Sequence, residues 1–403
     1  MNVNAMRAID RFLGIPLCFI ATVVCKLFFR YKKGVKPSKV LFVELSEMGS
    51  AILADPAMRL VRQKYNAELH FIIFEKNKAS LALLQTVPDE NIFTIRPEGF
   101  KLVIDTLRFL FWARRKKIDT TIDLELFSRY TALLTGFSGA NNRVGFYRYH
   151  NEGLYRGEML THRIAYNYYN HISKNFIAMI NSLDEKSDGN PYSKSLVKDD
   201  DISIVKAQAN EGDKEKVRKA IDEVVGGSWR TDTPRLLLVN ANASDLLPQR
   251  RWPAEHFASF VNLMLLRYDD ILALLTGAES DYPQAENIKI RVNDRRCVNF
   301  AGKVTLQELL PLYSISSVMV TNDSGPAHFS SVTDLETVII FGPETPELYG
   351  SLGNSTPLFL GLSCSPCVSA FNHRKTSCVD NVCVKKITPE SVALIVSGIL
   401  DKS

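Results

Sequence analysis

Three short segments in the second half of the chain set glycine near a polar or charged residue directly after an apolar run, and a fourth is basic. Asp323-Ser324-Gly325-Pro326 follows SVMVTN and precedes a helical pattern containing His328. A strand that ends in Asp-Ser-Gly and opens a helix offers unpaired backbone N–H groups, the positive end of a helix dipole and little side-chain bulk, which suits a phosphate. Gly342-Pro343-Glu344-Thr345 after TVIIF has the same form. In Leu275–Glu279 the carboxylate of Glu279 stands where a ribose hydroxyl needs an acceptor, with Gly277 two residues earlier. Gln249–Pro253 brings the guanidinium groups of Arg250 and Arg251 to a helix start at Pro253, a pairing suited to a pyrophosphate. Asn242 joins this set just past the strand RLLLVNA. Together these residues point to a nucleotide ligand. The chain has neither G-x-G-x-x-G after a strand nor G-x-x-x-x-G-K-[ST], so a dinucleotide oxidoreductase or a P-loop NTPase finds no support.

Such turns need a sheet to hold them at one depth. From Lys39 onward apolar runs alternate with helical periodicity: KVLFVEL, AELHFIIF, NIFTI and TTIDLEL in the first half, then RLLLVNA, DILALLTG, CVNFAG, SVMVTND and TVIIFG in the second. Helices are expected over 51–64, 99–116, 128–134, 254–267, 306–313, 327–332 and 389–400. This β-α-β-α order predicts mostly parallel sheets covered on both faces. The polar stretch 184–201 interrupts the pattern and reads as a linker. The expected organisation is a membrane-associating segment at 1–38 and two doubly wound Rossmann-like domains, 39–190 and 191–403, facing a cleft, with ligand at the carboxyl ends of the strands. The triplet Asp199-Asp200-Asp201 lies in the linker and reads as solvated.

At 403 residues, with 46% hydrophobic and 23% charged residues, the chain is neither disordered nor polytopic in a membrane. Its basic excess is concentrated at one end, where residues 1–40 hold eight Lys and Arg against Asp10 alone. A nucleic-acid-binding surface would spread such charge over the fold, so nucleic acid is not an expected partner. Residues 12–29, FLGIPLCFIATVVCKLFF, carry Lys26 as their only charge and lie beside a basic cluster of the kind drawn to anionic head groups. The segment is read as a membrane anchor, spanning or interfacial.

Four of the seven cysteines, Cys364, Cys367, Cys378 and Cys383, follow C-x2-C-x10-C-x4-C, a spacing that could hold a structural zinc. No histidine and carboxylate constellation marks a catalytic metal.

Taken together, LSEMGSAILADPAMR, IDLELFSRYTALLTGFSGANNRVGF, RRWPAEHF, TGAESD, TNDSGPAHF, IIFGPETPE and CSPC make the chain from about Lys39 onward resemble glycosyltransferase family 9, the lipopolysaccharide heptosyltransferase family of bacteria. The resemblance implies the two-domain GT-B fold and inverting transfer of a sugar from a nucleotide diphosphate donor, an ADP-sugar, to a glycolipid or polysaccharide acceptor without a catalytic metal. It implies that Asp323, Ser324, Gly325 and His328 bracket the diphosphate, that Glu279 meets the ribose, and that Arg250 is a donor contact. Arg129 and Arg143 fall on the acceptor side. It further implies an enzyme at the cytoplasmic side of the bacterial inner membrane.

One position departs from the family. Its loop after the first strand ends Gly-Asp, with the aspartate as general base, whereas this chain has Gly49-Ser50. A serine hydroxyl cannot take a proton at neutral pH without a base of its own. Glu47 on the same loop is the first candidate to replace it, with Asp55, Asp123 and Glu125 as others. The missing aspartate leaves open a second class, a sugar-nucleotide or glycan-binding protein without turnover. The stretch Arg143–His171 offers Arg and Tyr side chains for sugar stacking and acceptor phosphates.

Overall fold

The computed structural model describes residues 9–29, 32, 34–45, 47–149, 152–185, 193–227 and 234–402. The chain forms two compact units, one running up to Ser203 together with Ser369–Arg374, the other comprising Ile204–Val368 and Lys375–Ser403. Each is built on a six-stranded sheet in which every strand pair is parallel. The first sheet contains β1 (Lys39–Val43), β2 (Glu68–Phe74), β3 (Ile92–Ile95), β4 (Thr120–Asp123), β5 (Asn142–Tyr147) and β6 (His162–Ala165), in the order β3-β2-β1-β4-β5-β6. The second contains β7 (Arg235–Asn240), β8 (Ile271–Leu275), β9 (Cys297–Asn299), β10 (Val318–Asn322), β11 (Glu336–Ile340) and β12 (Ser355–Leu358), in the order β12-β11-β10-β7-β8-β9. These are the two doubly wound α/β sheets that the alternating pattern predicts. Central strands such as ILALL and VMVTN are buried throughout, as covering on both faces requires.

Both orders reverse once. In the first sheet the chain runs outward from β1 through β2 to β3, then crosses to β4 and runs the other way; in the second it runs from β7 to β9 and restarts at β10. Crossover helices part at such a point and leave a crevice at the carboxyl ends of the two central strands. Register keeps these ends level: Val43 sits opposite Asp123, and Thr321 opposite Asn240.

Three strands escape the sequence pattern. β5 and β6 fall in a stretch where no strand is expected, and β6 and β12 are four-residue edge strands with little apolar signal. Pro357 in β12 is tolerated because an edge strand has one side without ladder bonds. The stretch 184–201 falls partly outside the described residues, at 186–192, and its Asp199 pairs with Lys174 at 2.8 Å.

The apolar amino-terminal segment is not separate from the first unit. Its helix, Gly14–Phe28, buries a stripe of Gly14, Cys18, Ala21, Thr22 and Cys25. That stripe packs on Arg129–Phe137, against Ala132 and Met159. Asp10 pairs with Arg129 at 2.7 Å at one end, and Phe29 meets Phe137 edge-on at the other. Along this helix small residues turn inward and large apolar ones outward. Gly157, at φ +77°, fits against this helix because a Cβ there would lie 2.8 Å from the Cys18 carbonyl oxygen and 2.7 Å from Thr22 Oγ1. Gly157→Ala should therefore cost about 1–3 kcal/mol through backbone strain and steric clash. A lower melting temperature with faster tryptic cleavage at Lys26 is the expected outcome; an unchanged melt would show that the helix is not seated on this loop.

Candidate active site

In the second unit the crevice lies where β7 and β10 adjoin. Asn322, the last residue of β10, ties the loops together: its Nδ2 donates to Ala241 O at 2.9 Å and its Oδ1 accepts from Trp252 N–H at 2.9 Å. Trp252 is fully buried and donates through Nε1 to Ile387 O at 2.9 Å, so the Arg250–Trp252 segment is fixed by a core anchor. The backbone then turns at Asp323-Ser324 into the short helix Gly325–Phe329, with Asp323, Ser324 and His328 all buried. A Cβ on Gly325 would approach the Phe329 ring at 3.2 Å. Gly277 admits no side chain, because a Cβ there would meet Asn242 Nδ2 at 2.7 Å and Asp281 Oδ2 at 2.9 Å. Asn242 and Gly277 are therefore neighbours at the ends of β7 and β8, and exposed Glu279 begins the next turn.

Arg250 is the cation of this crevice. Its Nη1 stands 3.8 Å from Asp323 Oδ2 and 3.5 Å from Glu344 Oε2, charge contacts that hold the guanidinium without enclosing it. Its buried Nε has no hydrogen-bond partner among the described residues. A buried N–H without an acceptor is costly, and an incoming anion would satisfy it. Arg251, expected beside it, is instead committed to its own loop, donating to Ala243 O at 2.6 Å and pairing with Asp245 at 2.5 Å. Glu344, buried beside Arg250, was visible only as part of a glycine-proline turn; its contact comes from β11 lying next to β10. A cavity of about 530 Å³ opens beside β9, between Glu223, Lys289 and Asp294, at the edge of the sheet rather than at the reversal.

In the first unit acidic groups gather where β1 and β4 adjoin. Glu44 is buried; its Oε1 accepts from Glu47 N–H at 3.3 Å, while Glu125 Oε1 accepts from Leu45 N–H at 2.8 Å. Burial, then the neighbouring Glu125 and Glu47, raises Glu44 well above the ordinary carboxylate range. Glu47 pairs through one oxygen with Arg374, and its other oxygen accepts from Ser50 Oγ at 3.4 Å. Asp123 is fully buried in an ion pair with Arg156. Tyr147, Arg148, Tyr155 and Arg156, all from the stretch read as acceptor-facing, line a cavity of about 250 Å³ that reaches Asp123.

Several sequence candidates have other work. Asp55 is fully buried between Arg59, at 2.5 Å, and Thr86, so it holds a helix start rather than facing a crevice. Arg129 is spent on Asp10 and on Tyr155 O at 2.9 Å, and Arg143 on Met159 O at 2.6 Å and Ala140 O at 2.8 Å. Both are buried among these partners. Cys367 Sγ bonds Thr376 Oγ1 at 3.5 Å and Cys378 Sγ bonds Asp380 O at 3.2 Å. Among the described residues no group of three or more His, Cys, Asp or Glu side chains is gathered as a metal cage. Arg374 carried no sequence signal, because it becomes relevant only through a contact 327 residues away.

With this geometry in view, the family model for glycosyltransferase family 9 (heptosyltransferase) matches residues 112–377. The chain belongs to glycosyltransferase family 9. Lipooligosaccharide heptosyltransferase 2 of Haemophilus influenzae is 30% identical over 103 residues, 25% of this chain and 29% of that one. The matched region thus spans less than a third of that relative's length. Lipopolysaccharide heptosyltransferase 1 of Campylobacter coli is 23% identical over 313 residues, covering 75% of this family member and 84% of the relative. Among solved structures, the E. coli ADP-heptose lipopolysaccharide heptosyltransferase II shares the fold, of the GT-B class, with a TM-score of 0.69 and 18% identity over 90% of this chain and 99% of that one.

The raised Glu44 makes a pH prediction. The folded state holds this proton more tightly than the unfolded chain, whose Glu titrates near 4.3, so its stabilising contribution is complete below about pH 4.3 and is lost as pH rises through the folded value. Glu44→Gln keeps an acceptor for Glu47 N–H and lacks that loss. Its melting temperature should exceed that of the unsubstituted protein by a margin that widens from pH 5 to pH 8. A constant margin would contradict the buried acidic cluster.

Proposed function

We propose that this family member transfers a sugar from a nucleoside diphosphate-sugar of the ADP-heptose class to a glycolipid acceptor of the lipopolysaccharide core type, at the cytoplasmic face of the bacterial inner membrane. The observation that carries the donor half is the unsatisfied Nε–H of Arg250, buried at the reversal of the second sheet beside the Ser324-Gly325 turn. A diphosphate oxygen would satisfy that donor, and the amide at Gly325 would face a second oxygen, the Ala327 amide being held by Ser324 O at 3.1 Å. In this reading Glu279 and Asn242 bind the ribose side, and His328 lies against the diphosphate.

The acceptor half rests on the first unit. Glu47 is proposed as general base, oriented by Arg374 and by Ser50, whose hydroxyl occupies the place of the family's aspartate. Transfer proceeds as one displacement with inversion. The acceptor oxygen bonds to the anomeric carbon while Glu47 takes its proton, and the bond to the diphosphate oxygen breaks with its electron pair moving to the leaving diphosphate. Arg250 and the amides of the turn stabilise that charge, and no step is assigned to a metal. Tyr147 and Arg148, on the first unit's cavity, are proposed to hold acceptor sugar or phosphate.

Two measurements test this reading. Arg250→Ala should weaken ADP binding about 10- to 100-fold by calorimetry, the range of one or two charge-assisted hydrogen bonds; unchanged affinity would overturn the donor site. Glu47→Gln should lower kcat about 100-fold or more while the donor KM stays within about twofold. Full turnover in that variant would move the base elsewhere, and no turnover in the unsubstituted protein with ADP-heptose and a lipopolysaccharide-core acceptor would favour the sugar-nucleotide-binding reading.

A further inference from the structure

The first unit carries a second exposed apolar helix besides the amino-terminal one. In Gly99–Lys116 the side chains facing the sheet are Asp105, Phe109 and Ala113. The opposite face presents Phe100, Val103, Ile104, Leu107 and Phe111, which are 38% to 76% exposed. Their spacing of three and four residues makes one continuous stripe on a soluble-looking helix, pointing away from the core. On the amino-terminal helix the large residues opposite the packed stripe, among them Phe12, Phe19, Ile20, Leu27 and Phe28, are 56% to 75% exposed.

Topology puts the two stripes on the same side. Right-handed crossovers from β3 to β4 and from β4 to β5 run in one direction, so Gly99–Lys116 and Arg129–Phe137 cover the same sheet face. Asp55–Tyr65, made by the opposite step from β1 to β2, covers the other face and packs there with Ile172–Asn181. Arg129–Phe137 is then flanked by both apolar helices. Tyr130 bonds Thr106 of one at 2.6 Å, Ala132 packs on the other, and none of its own residues is exposed. Their carboxyl-terminal ends also converge. Lys32 N–H donates to Asn141 Oδ1 at 3.0 Å, and a Cβ on neighbouring Gly139 would lie 3.5 Å from the Arg114 side chain.

The charge on this side is predominantly basic. Across residues 9–39 and 98–117 the acids are Asp10, paired with Arg129 at 2.7 Å, Glu98, paired with Lys101 at 3.1 Å, and Asp105, buried in a fork with Arg96 at 2.7 and 2.8 Å. Lys26, Lys32, Lys36, Arg108, Arg115 and Lys117 are exposed there. Two copies of this chain pressed together by such faces would repel, whereas an anionic lipid surface complements both the apolar stripes and the basic rim.

We propose that the two helices, Ile9–Phe28 and Gly99–Lys116, form one surface that seats the first unit on an anionic bilayer, both lying in the interfacial plane. This rests on the reading of a membrane-bound acceptor and adds its docking element. The amino-terminal helix is fixed to the unit at Asp10, along its small-residue stripe and at Phe29, so it cannot also cross a hydrocarbon core about 30 Å thick.

Flotation of the full chain with phosphatidylcholine vesicles, with and without phosphatidylglycerol, tests the proposal. Leu107→Ser with Phe111→Ser, and separately Phe19→Ser with Ile20→Ser, should each lower partition onto the phosphatidylglycerol vesicles about tenfold or more. Melting temperature and ADP affinity should stay unchanged, because all four side chains are exposed. Arg108→Gln with Arg115→Gln should weaken binding to the anionic vesicles alone. Loss only in the Phe19/Ile20 variant would overturn the two-helix surface, and no binding of the unsubstituted protein to either vesicle would overturn bilayer docking altogether. A dimer that the Leu107/Phe111 variant dissociates, without change in vesicle binding, would assign the stripe to self-association and overturn the proposal too. ADP affinity and sugar transfer to a solubilised acceptor report on the donor and acceptor reading separately from all of these.

Discussion

A parallel sheet can reverse its winding only by leaving two neighbouring strand ends uncovered, and both sheets of this protein place their ionisable side chains at that uncovered point. In the second unit the consequence is a single guanidinium, Arg250, held between Asp323 and Glu344 with its Nε unsatisfied. In the first it is a knot of buried acids in which Glu44 and Glu125 are forced together and Glu47 is turned toward Arg374. Neither arrangement is favourable for stability by itself. A buried donor without an acceptor and carboxylates crowded in low dielectric both cost free energy, so their persistence at the one crevice each fold provides supports a role in binding or reaction.

The replacement of the family's aspartate by Ser50 looks less severe in this setting. Ser50 is the third residue of the short helix Met48–Leu53 that follows Glu47, and its hydroxyl donates to Glu47, so a carboxylate remains three residues earlier. The Ser50–Glu47 pair with Arg374 can orient a base, although the proton acceptor has moved. Arg374 belongs to a six-residue segment that returns from late in the chain to the first unit, where Ala370 O accepts from Gly153 N–H at 3.2 Å and Phe371 meets Tyr168.

Much of this was legible in the sequence. Nine of the strands were readable as apolar runs, because a strand buried on both faces has no polar alternation to obscure it. The donor-side turn at Asp323-Ser324-Gly325 was readable because glycine and an N-cap position have local causes. The edge strands β6 and β12 were not, since four half-buried residues carry almost no pattern. For Arg129 and Arg143 the sequence shows the motif position alone, and only packing reveals that one bonds Asp10 of the amino-terminal helix and the other a loop carbonyl. The amino-terminal helix itself shows both limits, its apolar content being evident and its small-residue stripe meaningful only once Arg129–Phe137 lies beside it.

The central claim is that the reversal of the second sheet binds a nucleoside diphosphate through Arg250 and the amides of the neighbouring turns. Amide hydrogen exchange with and without ADP-heptose addresses it residue by residue. Slowed exchange confined to the segments around Asn242–Arg251, Gly277–Glu279 and Ser324–Ala327 is the result this account predicts. Protection appearing instead beside β9, around Lys289 and Asp294, or no protection in the second unit at a saturating donor concentration, would contradict it.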